Sequence, residues 1–187
     1  MADHTHNALA SMSYALQNIV APAVDPTDPI AVEQLQSAVR YLDFLLQRLD
    51  LLPAFHRIDL GQQAELAQAL LPATSRLDPA LADATAESVR TARRLLEAAD
   101  ASIASMRDEA ATLAELVTET VRRSESSGDD RTRAEVGRAV VAGSRRRTLL
   151  ERAWYLPLGF DQSPDEVPPL EQLIGGASAH TGLTAAS

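Results

Sequence analysis

Between Val89 and Thr120 the chain sets Val89, Ala92, Leu96, Ala99, Ile103, Met106, Ala110, Leu113, Val117 and Thr120 at alternating spacings of three and four. Nine of these ten are apolar, and most residues between them are charged or small and polar. An apolar position about every 3.5 residues is the mark of a helix lying along another helix. No Pro or Gly occurs from 80 to 127. The spacing therefore predicts one long helix over 79–126.

Start and stop signals place its neighbours. Asp28-Pro29 and Asp78-Pro79 each set an N-cap carboxylate before a residue whose missing N–H is harmless at the first helical position. Helices are expected over 7–20, 29–52, 60–71, 79–126 and 130–155. Leu9, Met12, Leu16 and Ile19 form the apolar side of the first. Leu35, Leu42, Leu46 and Leu49 lie on the buried seam of the second, which Ala38, Tyr41 and Leu45 widen. Pro53 ends that helix. Asp59 is expected to cap a short third helix that stops at Pro72, and Asp129 or Asp130 opens the fifth. Gly137 and Gly143 weaken the fifth by up to ~1 kcal/mol each where exposed. No run alternates apolar and polar residues long enough to read as a strand.

These patterns describe an all-α fold: an up-and-down helical bundle of four to five helices built around one long helix, with an irregular Pro/Gly-rich C-terminal tail. The bundle domain is expected over 1–156 and the tail over 157–187, with a single helical turn around Leu170 to Ile174. At ~1.5 Å per residue, a helix over 79–126 would reach roughly 70 Å, about twice its neighbours. Either it bends or splits, or part of its seam stays uncovered as a partner surface. On the second alternative the chain is expected to dimerise through this helix, with a further protein partner as another user of the seam.

Composition closes off several chemistries. There is no Cys, which excludes disulfides, thiolate catalysis and Cys-ligated metals. All 17 basic residues are Arg, so a lysine Schiff base and a Walker-type phosphate loop are absent. A net charge of −9 argues against general affinity for nucleic acid or anionic lipid. No window approaches the ~18–20 apolar residues of a membrane span, and the N-terminus lacks the basic stretch of a secretory signal. A cytoplasmic location is the expectation.

No His follows a Glu at the i, i+3 spacing of di-metal bundles. Glu97 and Asp100 alone have the paired-carboxylate spacing within a predicted helix. No metal or cofactor is expected. The most pointed chemical feature is a stripe of Arg131, Arg138, Arg145 and Arg152, spaced by seven and thickened by Arg146 and Arg147. Residues 128–156 carry a local charge of +3. Such a stripe pairs with acids across a helix interface, for which Glu97, Asp100, Asp108, Glu115 and Glu119 are available. Alternatively, Arg138, Arg145, Arg146 and Arg147 with Trp154 hold a phosphate- or CoA-bearing ligand between helices. The aromatic run from Trp154 to Phe160 is expected to dock the start of the tail.

The sequence therefore predicts a non-catalytic accessory, adaptor or regulatory protein acting through helix–helix contacts. The alternative is a binder or enzyme for an anionic, partly apolar small molecule.

Overall fold

The computed structural model describes residues 4–179, with side-chain surroundings through residue 175. Among the described residues every regular element is helical. Helix α1 covers His4–Ala15, and a π turn at Leu16–Val20 and a 3-10 turn at Ala21–Ala23 continue it. Helix α2 covers Pro29–Arg48, and Asp28 caps it by accepting from the N–H groups of Ile30 (3.0 Å) and Ala31 (3.1 Å). A 3-10 turn at Leu49–Leu51 leads directly into α3, Leu52–Leu77. Helix α4 is Pro79–Glu97, α5 is Ile103–Ser126 and α6 is Asp130–Tyr155. The Pro/Gly-rich tail is irregular apart from 3-10 turns at Leu156–Leu158 and Pro164–Glu166 and helix α7, Leu170–Ala179. Residues 180–187 of the expected tail lie outside the described part.

The all-α reading holds, but the longest helical run is not where the seam placed it. It spans 49 residues from 29 to 77. Pro53 falls in the first turn of α3, where its missing N–H leaves no bond unmade. Pro72 sits inside α3 on its exposed side. Its cost is offset by the buried face, which carries Leu60, Ala64, Ala67, Leu70, Ala73 and Thr74. Asp59 is accordingly an interior residue of α3 rather than a cap.

The expected helix over 79–126 is two helices. Ala98 turns extended (φ −74°, ψ 122°) and ends α4. The guanidinium of Arg57 on α3 donates to the carbonyls of Leu96 and Ala98, the latter at 3.2 Å. These are carbonyls that a helix end leaves without an internal partner. Ser102 then caps α5, its Oγ accepting from Ser105 N–H at 3.0 Å. The break lets α5 fold back along α4.

By packing, the chain divides into two compact units. The second holds Pro53–Ala153 and the residues from Asp165 onward. Its core is built from α3 (Leu60, Ala64, Ala67, Leu70), α4 (Val89, Ala92), α5 (Met106, Ala110, Leu113, Val117) and α6 (Val136). The connections between these four helices are one, five and three residues long, the short links of an up-and-down bundle. Gly128 takes the left-handed backbone (φ 70°) that the last of these turns requires. Buried hydroxyls are satisfied within the bundle. Thr74 donates to Leu70 O, Thr120 donates to Leu116 O, and the two threonines face each other at 3.2 Å. The Ala-rich faces let the helices approach closely. Gly143 of α6 is buried, and a β-carbon there would meet both δ-methyls of Leu66 at 3.1 Å.

The first unit holds the N-terminal residues through Leu52 together with Trp154–Pro164. Helix α1 packs along α2, pinned by the buried Ser13 hydroxyl donating to Asp43 Oδ1 at 2.6 Å. The aromatic run docks on α2 as expected. Phe44 meets the edge of Trp154 (6.4 Å) and stacks on Tyr155 (5.7 Å), while Arg48 lies over the Trp154 ring and donates to its carbonyl at 3.0 Å. Leu35, Leu42, Leu46 and Leu49, expected to be buried, are only half-buried.

Candidate interaction surface

Several arginines of α6 are held by acids, though not by those the sequence offered. Arg146 pairs with Glu65 of α3 at 2.9 Å. Arg147 pairs with Asp59 of α3 at 3.6 Å and with Glu151, one turn along its own helix, at 3.0 Å. The partner helix is α3 because α6 packs against it at Gly143 and Leu66. Glu119, named as a partner, binds Arg122 and Arg123 of its own helix instead. Glu97 ends α4 and Asp100 lies in the break, so the two carboxylates do not share a helix. Arg138 and Arg145 are exposed, with no ion pair among the described residues. Trp154 is buried in the first unit beside Phe44, whereas the four arginines belong to the second.

The second unit has a small polar cleft on its helix faces. It encloses about 170 Å³ between α3, α5 and α6, with Gln62, Gln63, Thr118, Ser144 and Arg147 among its walls. Gln62 Oε1 is buried there without a hydrogen-bond partner among the described residues, an acceptor that a donor entering the cleft would satisfy. Beside it, burial pushes the Asp59 carboxyl above its ordinary pKa, against the pull of Arg147 and His56, and Glu151 pushes the same way as burial. This is a carboxylate held in an ion-pair network. Among the described residues, no three His, Asp or Glu side chains are grouped to hold a metal ion.

The first unit shows a different kind of feature. Of the ten large apolar side chains exposed among the described residues, nine lie in this unit, and Val141 alone lies in the second. Met12 and Ile19 of the first helical segment are 57% and 66% exposed, and Ile30 at the start of α2 is 71% exposed. Residues 4–24 contain no Asp, Glu, Lys or Arg. On α2, Ile30 and Tyr41 are eleven residues apart, about three turns, and so share one face with Leu45. Gln34, Ser37 and Ala38 fill that face between them, and none is charged. Asp43, which receives Ser13, points to the other side of α2. The helix thus has two apolar faces, one covered by α1 and one open.

No known protein family, curated protein or solved structure matches this chain.

The seam from Val89 to Thr120, which suggested a dimer contact, faces the chain's own core. Val89, Ala92, Met106, Ala110, Leu113, Val117 and Thr120 are all buried. Of the other three, Leu96 and Ile103 are partly buried against the same core and Ala99 is exposed, so most of the seam is spent inside the chain and the expectation of dimerisation through this helix gains no support. The open face of α2 was hidden in the sequence by its apolar side chains, which read as core. One signal did point to the neighbouring surface on α1: residues 4–24, a 21-residue stretch with apolar side chains and no charged face to turn to water. No helix of the described residues is long and apolar enough to cross a membrane.

Proposed function

We propose that this protein is a non-catalytic adaptor or accessory protein that works through helix–helix contacts made by its first unit. The observation that carries the reading is the concentration of exposed, uncharged apolar side chains on α1 and α2. Monomeric surfaces rarely leave so many together without a partner. The cores of docking surfaces are depleted in charge and enriched in aromatic residues and Met, and Met12, Tyr14, Ile19, Ile30, Tyr41 and Leu45 fit that composition. The alternative of an anionic small-molecule site draws less support. Arg146 and Arg147 are already engaged by carboxylates, and Trp154 is packed against Phe44.

The test uses the full chain at high dilution with an apolar fluorescent dye. The wild type should take up dye strongly. A variant carrying Met12→Ser, Ile19→Ser and Tyr41→Ser should take up far less, with an unchanged helical circular-dichroism spectrum. Absence of dye uptake by the folded wild type would overturn the reading. So would a nucleotide, CoA ester or sugar phosphate that raises the melting temperature of the wild type but not of an Arg145→Gln, Arg146→Gln variant.

A further inference from the structure

We infer that the occupant of the open α1 and α2 faces is a second copy of this chain, the two hairpins joining into a four-helix assembly. The inference rests on the reading of these faces as a docking surface. Three observations select a second copy over other partners.

The first is area. Six exposed large apolar side chains, Met12, Ile19, Val20, Ile30, Tyr41 and Leu45, at about half exposure and roughly 200 Å² each, present on the order of 600 Å²; Tyr14, two residues from Met12, faces the other way. The smaller specific interfaces bury about that much on each partner.

The second is charge. A twofold contact sets each surface patch against the same patch of its partner, so any charge on it would meet its like. The first unit is acidic, with seven Asp or Glu against two Arg, yet none of the acids lies in 4–24 or on the Ile30–Leu45 face of α2. The charge-free area coincides with the exposed apolar one, which leaves self-apposition without electrostatic opposition. An acidic or basic partner would find nothing to pair with, and an anionic membrane surface would find no Lys or Arg to attract it.

The third is architecture. Two antiparallel helices cannot enclose a core, so a pair with apolar residues on both outer sides remains half-covered. A second pair closes it, as α3 to α6 close the core of the second unit within one chain.

Sedimentation equilibrium of the full chain tests this. The wild type should be dimeric at tens of micromolar. Tyr41→Glu with Leu45→Glu places like charges on both sides of the contact at once and should weaken the dimer by at least about tenfold. Met12→Glu with Ile19→Glu, on the other helical segment, should do the same, and Val141→Glu in the second unit should leave the dimer intact. If either double variant loses helix content, footprinting of the wild type by hydroxyl radicals replaces it. Met12 and Tyr41 should then become protected as concentration rises. A dimer insensitive to both double variants, or no concentration-dependent protection, overturns the inference. A wild-type monomer that binds apolar dye overturns the second copy and leaves the docking surface standing. A monomer that binds none overturns both.

Discussion

The same substitution at two glycines of α6 should change stability in different ways. Gly137 and Gly143 are six residues apart in one helix, and in both a methyl group would raise helix propensity by about 1 kcal/mol. Part of that gain arises because the unfolded chain loses freedom. At Gly137 a β-carbon would meet nothing within 4 Å, so the whole gain should appear. At Gly143 the new carbon would stand 3.1 Å from both δ-methyls of Leu66 and 3.4 Å from its β-carbon. Carbon pairs rest at about 3.5–4.0 Å. Leu66 must therefore give by a few tenths of an ångström in a packed interface, and such overpacking costs about 1–3 kcal/mol. Gly143→Ala should come out between neutral and about 2 kcal/mol destabilising, and the two variants should differ by about 1–3 kcal/mol. Urea denaturation followed by circular dichroism at the helix band measures this. Fluorescence is the wrong probe because the single Trp, Trp154, lies in the other unit. A Leu66→Ala background removes the obstructing methyls, and there Gly143→Ala should stabilise as Gly137→Ala does. If Gly143→Ala stabilises the wild type as much as Gly137→Ala does, α3 and α6 do not approach closely at Leu66, and the reasoning fails.

Core and half-covered positions should separate in the same way. Leu113→Ala, at a fully buried site, should cost about 3–5 kcal/mol, and half-buried Leu42→Ala about 1 kcal/mol, both read from urea midpoints. Two aspartates should give pH dependences of opposite sign. Asp59 binds its proton more tightly in the folded chain, because burial raises its pKa from 3.8. The wild type should therefore lose stability as pH rises from below 3.8 through the folded-state value, and relative to it Asp59→Asn should gain over that range. Asp78 is held low, chiefly by the hydrogen bond from Leu81 N–H, then by those from Ala80 N–H and Arg123. Its contribution is present above 3.8, so Asp78→Ala should be destabilising at neutral pH, and that loss should fade as acid protonates the wild-type carboxyl.

The sequence made the helix starts legible because their cause is local. Asp28 and Asp78 cap through N–H groups two and three residues away, and Asp129 accepts from Arg131 N–H in the same manner. The ends were less legible because their causes are distant. The break after Glu97 has no Pro or Gly; its carbonyls are taken by Arg57, about forty residues earlier in the chain. Its one local trace is Ser102 standing three residues before Ser105. Pro72 read as a stop, yet α3 runs through it, since the face from Leu60 to Thr74 binds the bundle more strongly than one missing hydrogen bond opposes it.

The candidate surface was missed for a different reason. Apolar periodicity states that a face avoids water; it does not state what covers it. At Val89–Thr120 the seam is answered inside the chain, because the break at 98–102 folds α5 back on α4 and α3 supplies the opposing side. The seam at Leu35–Leu49 is written in the same code, but among the described residues α1 and the Trp154 segment answer it and leave its leucines half-buried. Covering α2 fully would take another helix in the first unit. The chain after Arg48 passes instead into α3, whose apolar face is spent on the second unit's core. Helix number, not helix pattern, therefore decides which of two similar seams stays open, and the shortfall lies where charge is also missing.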